Sequence, residues 1–132
     1  MKDNNIIKLI SLDVLAGTKG QKATLELDVY GKVSKTQQSG DGPVDSIFKC
    51  IKEIFPHEVN LQLYQVHAVT EGTDAQATVS VRIEEKGKIS VGQAADTDTL
   101  VASAKAYINA LNKLILKRKR TAPTDDEYSA AV

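Results

Sequence analysis

One short pattern constrains this chain more than any other, because it occurs twice. Ala23-Thr-Leu-Glu-Leu-Asp-Val29 recurs 54 residues later as Ala77-Thr-Val-Ser-Val-Arg-Ile83. Both alternate apolar and polar residues, the period of a half-buried strand. Each copy then turns at a Gly-Lys pair, Gly31-Lys32 and Gly87-Lys88, and continues as Val33-Ser34 and Ile89-Ser90. The spacing places two extra residues in the second hairpin, around Glu84-Glu85-Lys86. Upstream, Ile7-Lys8-Leu9-Ile10 precedes Leu61-Gln62-Leu63-Tyr64 by the same interval, and both read as strands. Downstream, apolar residues at Ile47, Phe48, Ile51, Ile54 and Phe55 trace an amphipathic helix. The second copy does the same at Leu100, Val101, Ala104, Ile108, Leu111 and Ile115.

A repeated strand-strand-strand-helix unit predicts an α+β fold. Two pseudo-symmetric βββα units, about 7–55 and 61–116, pack one-sided helices on antiparallel sheets. Two copies are too few for an open solenoid, so they close on each other. Gly40-Asp41-Gly42-Pro43 reads as the turn into the first helix, with proline in the first turn. Asp96, Thr97, Asp98 and Thr99 supply N-cap chemistry to the second. From Lys117 the pattern dissolves into Lys117-Arg-Lys-Arg120 and an acidic, proline-containing end, so residues 117–132 are expected to be a basic helix end and a disordered tail.

Composition narrows the function classes. The 132 residues hold 17 Lys+Arg against 17 Asp+Glu, which removes the electrostatic basis for a general nucleic-acid binder. Lys117 to Arg120 is the one basic patch, and at a helix C-terminus it complements the dipole. A single cysteine, Cys50, excludes an intramolecular disulfide framework and suits a reducing, cytoplasmic setting. Met1 to Asn5 is polar and the apolar run behind it contains Lys8, so no signal peptide is expected. No segment approaches the roughly 20 apolar residues of a membrane helix. His57 and His67 are the only histidines and stand ten residues apart, without metal-ligand spacing, and Cys50 reads as a core residue. No nucleophile-base motif or phosphate loop is present, so neither catalytic nor metal-binding residues are expected in this chain.

The carboxylates Asp41, Asp45, Asp96 and Asp98 gather at the two helix entrances. Helix capping accounts for them. A helix start with a small-residue approach is also where free amides can take a ligand carboxylate. Ala68, Gly72, Ala75 and Ala77 leave room for a small apolar body, with Leu61 and Tyr64 as walls.

Gly40-Asp-Gly-Pro-Val-Asp45, His67-Ala-Val-Thr-Glu-Gly-Thr-Asp-Ala-Gln-Ala77, Gly92-Gln-Ala-Ala-Asp-Thr-Asp98 and Val101-Ala-Ser-Ala-Lys-Ala-Tyr-Ile-Asn-Ala-Leu-Asn112 together resemble one family. It is the C-terminal regulatory, dimerisation domain of α-isopropylmalate synthase and its relative (R)-citramalate synthase. The resemblance runs from about Ile7 to Leu116 and makes 1–116 the regulatory domain. It implies two βββα units, homodimerisation, and feedback inhibition by leucine or isoleucine. It also implies a separate catalytic (β/α)8 barrel on the same polypeptide, condensing acetyl-CoA with a 2-oxo acid on a divalent metal. That barrel's His-x-His motif is absent here, so this chain is expected to need no cofactor and to be catalytically inert by itself. Carried over by position, the effector pocket falls on Gly42, Val44 and Asp45, then Leu61, Tyr64 and Ala68, then Ala75, Ala77 and Ala95. A structural homodimerisation module without an effector is the alternative the same residues allow.

Overall fold

The computed structural model describes residues 6–18, 20–68 and 76–131. The chain runs β1 (Ile7–Gly17), β2 (Gly20–Val29), β3 (Lys32–Ser39), α1 (Pro43–Ile54), β4 (Asn60–Ala68), β5 (Ala77–Glu85), β6 (Lys88–Asp96) and α2 (Thr99–Ala131). The strands form two antiparallel three-stranded sheets, ordered β1-β2-β3 and β4-β5-β6, each followed by its helix. This is the α+β pair of βββα units that the repeat predicts. The helix assignment of α2 continues to Ala131, through the segment after Lys117 that the sequence reading sets apart as a tail.

The alternation sorts each strand as expected. On β2, Ala23, Leu25 and Leu27 are fully buried; on β5, so are Val79, Val81 and Ile83. These triplets correspond at a spacing of 56 rather than 54, which corrects the register read from sequence. Both hairpins are two-residue turns, Tyr30-Gly31 and Lys86-Gly87, with no extra residues in the second. Both turn residues have positive φ, 55° and 85° in the first and 51° and 84° in the second. That pattern fits a right-twisted hairpin and is why glycine stands at the second position. Even the turn bonds match: the Gly31 amide donates to Asp28 Oδ1 at 2.8 Å and the Gly87 amide to Glu84 Oε2 at 3.1 Å. A bulge also recurs, between Leu9 and Ser11 on β1 and between Leu61 and Leu63 on β4. The second unit's additional residues therefore fall in the β4–β5 connection. The slip was invisible because a shift of two keeps every side chain on its face.

The helices differ more than their sequences imply. α1 is one-sided, burying Ser46, Ile47, Cys50 and Ile51. The Cys50 thiol donates to the Ala23 carbonyl at 3.2 Å, and burial pushes its pKa up, as befits an inert core thiol. α2 is covered almost all round, from Ala102 through Ile115, so the expectation of a second one-sided helix is corrected. It packs on β5 and β6, on α1 and, across the unit boundary, on β1. Tertiary crowding, which apolar periodicity does not encode, produces this. At Gly92 of β6 an added Cβ would lie 2.1 Å from the Ala106 carbonyl oxygen, so only glycine permits that approach. Asn112 bridges the units: its Oδ1 accepts from the Ile7 amide at 2.8 Å and its Nδ2 donates to the Ile7 carbonyl at 2.9 Å.

The face of α2 left outside carries a polar residue at every fourth position. Lys105 pairs with Asp96 at 3.2 Å, Asn109 Nδ2 donates to Gln93 O at 2.8 Å, Lys113 Nζ donates to Val91 O at 2.9 Å, and Lys117 Nζ donates to Ile89 O. Four rungs thus fasten α2 along the outer edge of β6, and three of them occupy carbonyls that another strand would need.

Candidate functional site

The site is built from the first helix entrance and the neighbouring edge of the second sheet. At the entrance, Gly42 is the N-cap in an extended conformation, Pro43 opens the helix, and no side chain caps the start. The first intrahelical bond is Ser46 N to Gly42 O at 2.9 Å. Pro43 has no amide hydrogen, so the amides of Val44 and Asp45 are the open donors, and they lie at the positive end of the helix dipole.

Asp45 does not block them. Its carboxylate turns back to accept from the Asp41 amide at 2.9 Å and meets Lys49 at 3.3 Å. Those contacts, the Asp41 amide first, hold its pKa below the usual carboxylate value. Gly40 belongs to this local structure, since an added Cβ would sit 2.5 Å from Asp45 Oδ2. Asp45's carboxylate therefore braces the approach loop rather than capping the helix, and its backbone amide stays available.

Leu61 and Tyr64 lie on the helix-facing side of β4, since they pair with the fully buried Ile83 and Val81. β4 is the edge strand and that side is incompletely covered: Leu61 is 47% exposed and Val66, in the same row, 45%. Tyr64 is joined to the first helix through Phe48, one turn beyond Val44, with ring centroids 6.1 Å apart in an edge-on contact. Ala68 ends β4 opposite Ala77, the first residue of β5. Ala77 is half-buried on the same side as Val79. Ala75 lies outside the described residues. Ala95 pairs with Thr78 and is exposed on the opposite face of the sheet, away from Tyr64 and Leu61.

Thus Gly42, Val44 and Asp45 share the first helix entrance, Phe48 links that helix to Tyr64, and Leu61 and Ala77 lie in the row of Tyr64, whereas Ala95 stands apart. Sequence reasoning missed Phe48 as the link, although it had marked Phe48 as apolar on the helix. It also missed Ser103, whose Oγ meets Tyr64 Oη at 2.6 Å. A contact spanning 39 positions leaves no local signal.

Behind this wall the aromatic cluster continues. Phe48 lies 4.3 Å from Tyr107, centroid to centroid. His57, buried at the junction of the units, meets the Phe55 carbonyl through Nδ1 at 2.7 Å and Tyr107 Oη through Nε2 at 2.8 Å. A carbonyl only accepts, so Nδ1 carries a hydrogen; in a neutral ring Nε2 then accepts from Tyr107. Desolvation raises the Tyr107 pKa to about 12. His67 is exposed on β4. Among the described residues no three His, Cys, Asp or Glu side chains gather as metal ligands, and no helix is long and apolar enough to cross a membrane. A cavity of about 590 Å³ at the far end of α1, lined by Lys49, Lys52, Glu53, His57 and Glu58 among others, shares no residue with the candidate site. Four charged side chains, Lys49, Lys52, Glu53 and Glu58, stand in its lining.

The chain matches the family described as the LeuA allosteric (dimerisation) domain over residues 1–115. It is 58% identical over 126 residues to a 2-isopropylmalate synthase of Bradyrhizobium sp. (strain ORS 278), covering 95% of this chain and 24% of that protein. A 2-isopropylmalate synthase of Bradyrhizobium sp. (strain BTAi1) is 62% identical over 115 residues, covering 86% and 22%. One from Caulobacter sp. (strain K31) is 60% identical over 117 residues, covering 89% and 22%. The chain spans about a quarter of the length of these curated relatives. With its two βββα units and its match over residues 1–115, the chain belongs to the LeuA allosteric (dimerisation) domain family.

Proposed function

We propose that this chain is the feedback-sensing part of a 2-isopropylmalate synthase and that it binds leucine, the pathway's branched-chain end product. The ligand carboxylate sits on the Val44 and Asp45 amides, and its side chain packs against Leu61, Tyr64 and the Ala68–Ala77 end of the sheet. Isoleucine, the effector expected of a citramalate synthase parent, is the competing ligand. The observation that carries this reading is the open pair of amides on α1, a helix joined through Phe48 and Tyr64 to an incompletely covered apolar row on β4. Burying a four-carbon side chain there contributes about 2 kcal/mol. Two such chains pair as a homodimer, which covers the rest of that row. Effector binding shifts the dimer between two arrangements that it binds with different affinity, and so alters the catalytic part.

The transferase chemistry, with its divalent metal and acetyl-CoA, belongs to the remaining three-quarters of such an enzyme. A cytoplasmic setting follows from that biosynthetic role. Calorimetric titration of the chain with leucine, isoleucine and valine tests the reading. Heat with leucine is expected; silence with all three at millimolar concentration overturns it. A dimer in sedimentation that ignores all three would instead identify a purely structural pairing module, the reading that the exposed Leu61 and Val66 alone would support.

A further inference from the structure

We propose that Ser103 is a positioning residue for the effector site, so that the second helix completes a site whose anion end lies on the first. This inference rests on the effector reading above. Ser103 is fully buried in the first turns of α2. Its hydroxyl donates to the Thr99 carbonyl at 2.8 Å, four residues back. A serine hydroxyl has one hydrogen, so the 2.6 Å contact with Tyr64 must use the tyrosine's proton. The chain of donation therefore runs from Tyr64 O–H to Ser103 O–H to the Thr99 carbonyl, and each bond polarises the next.

Two consequences follow. The Tyr64 ring is held at both ends, by Phe48 along its edge and by Ser103 at its hydroxyl. Its place against α1 is therefore fixed before any ligand arrives, which lowers the ordering cost of binding. In addition, the phenol's only hydrogen is committed to Ser103, so toward a ligand its oxygen can only accept. The α1 entrance offers donors and Tyr64 an acceptor, the polarity of an amino-acid zwitterion with its carboxylate toward α1.

The test is a double-mutant cycle read by calorimetric titration of the 132-residue chain with leucine and with valine. Ser103→Ala and Tyr64→Phe are each expected to weaken leucine binding about tenfold, and the double variant no further, because both remove one bond. Ser103→Ala should also narrow the leucine-to-valine affinity ratio, since the wall it holds becomes free to shift. Ser90→Ala is the structural control: it removes another buried serine-to-helix bond, 2.7 Å to the Ala110 carbonyl, and should lower Tm while leaving affinity and ratio unchanged. Wild-type affinity and ratio in Ser103→Ala, or losses that simply add, would overturn the assignment. Should Ser103→Ala fail to fold, Tyr64→Phe binding leucine as tightly as wild type overturns it equally. A wild-type chain that binds no branched-chain amino acid overturns the effector reading itself, a result distinct from both.

Discussion

The two helix entrances occupy equivalent places, 56 residues apart, and have been finished in opposite ways. At α2 the N-cap is Asp98, whose Oδ1 accepts from the Leu100 amide at 2.8 Å and the Val101 amide at 3.4 Å. At α1 the corresponding residue is Gly42, and the corresponding amides of Val44 and Asp45 are uncapped. The first helical bonds are the same, Ala102 to Asp98 and Ser46 to Gly42, both 2.9 Å. The backbone was duplicated, and one side chain decides whether the entrance satisfies itself or can receive a ligand.

The bodies of the helices diverge in the same sense. α2 is enclosed and fastened along β6 by four polar rungs, whereas α1 is held by one apolar face and its Lys49 pairs within the helix. A firmly anchored second unit beside a more lightly held first unit is the arrangement expected if ligand binding acts on α1.

Breaking the second unit gives the largest expected effect. Gly92→Ala drives a methyl into the backbone of α2 at Ala106 and Ala110, and should cost about 3 kcal/mol or more in denaturant unfolding. Thr36, its counterpart in the first unit, is half-buried and tolerates a side chain, so Thr36→Ala should cost less than about 1 kcal/mol. Equal costs at both positions would contradict the difference in helix approach.

Next comes an alkaline limit set where the units meet. The folded-state pKa of Tyr107, raised to about 12, lies above its ordinary 10, so its contribution is present in full below pH 10 and is lost as pH rises toward 12. The loss is on the order of 2 to 3 kcal/mol. Tyr107→Phe should abolish that alkaline slope while lowering neutral stability by about 1 kcal/mol through the lost bond to His57. Parallel pH profiles for the two proteins would remove Tyr107 as the cause.

Smaller still, Asp98→Ala should cost about 1 kcal/mol by uncapping α2. Removing one edge rung, Lys113→Met, should cost no more than about 0.5 kcal/mol because the lysine is exposed. Its expected trace is faster amide exchange along β6, and unchanged exchange there would show that the rung contributes nothing.

Much of this was legible in the chain. The repeat of Ala23 to Val29 at Ala77 to Ile83, with the helix stripes behind each, predicted two βββα units, and the run Asp96 to Thr99 announced a helix start whose cap proves to be Asp98. The register slipped by two because the alternation of strands cannot register such a shift, and only the positive-φ turns at Tyr30-Gly31 and Lys86-Gly87 fix it. Leu61 and Tyr64, three positions apart, share a row only because the bulge between Leu61 and Leu63 shifts the alternation; Ala95 did not join them, because sheet pleating puts neighbouring residues on opposite faces. Ser103, Phe48 and the enclosure of α2 depend on contacts between distant segments, which local periodicity does not carry.

The central claim is that the bare entrance of α1 is a carboxylate seat, and Gly42→Asp tests it most directly. Gly42 has φ −172°, a conformation open to any residue, and no atom lies within 4 Å of its missing Cβ. The substitution gives α1 the same kind of cap that α2 already has. Calorimetric titration with leucine should show affinity falling at least tenfold, while unfolding shows stability unchanged or raised by a few tenths of a kcal/mol. A well-folded Gly42→Asp chain that binds leucine as tightly as wild type would contradict the account.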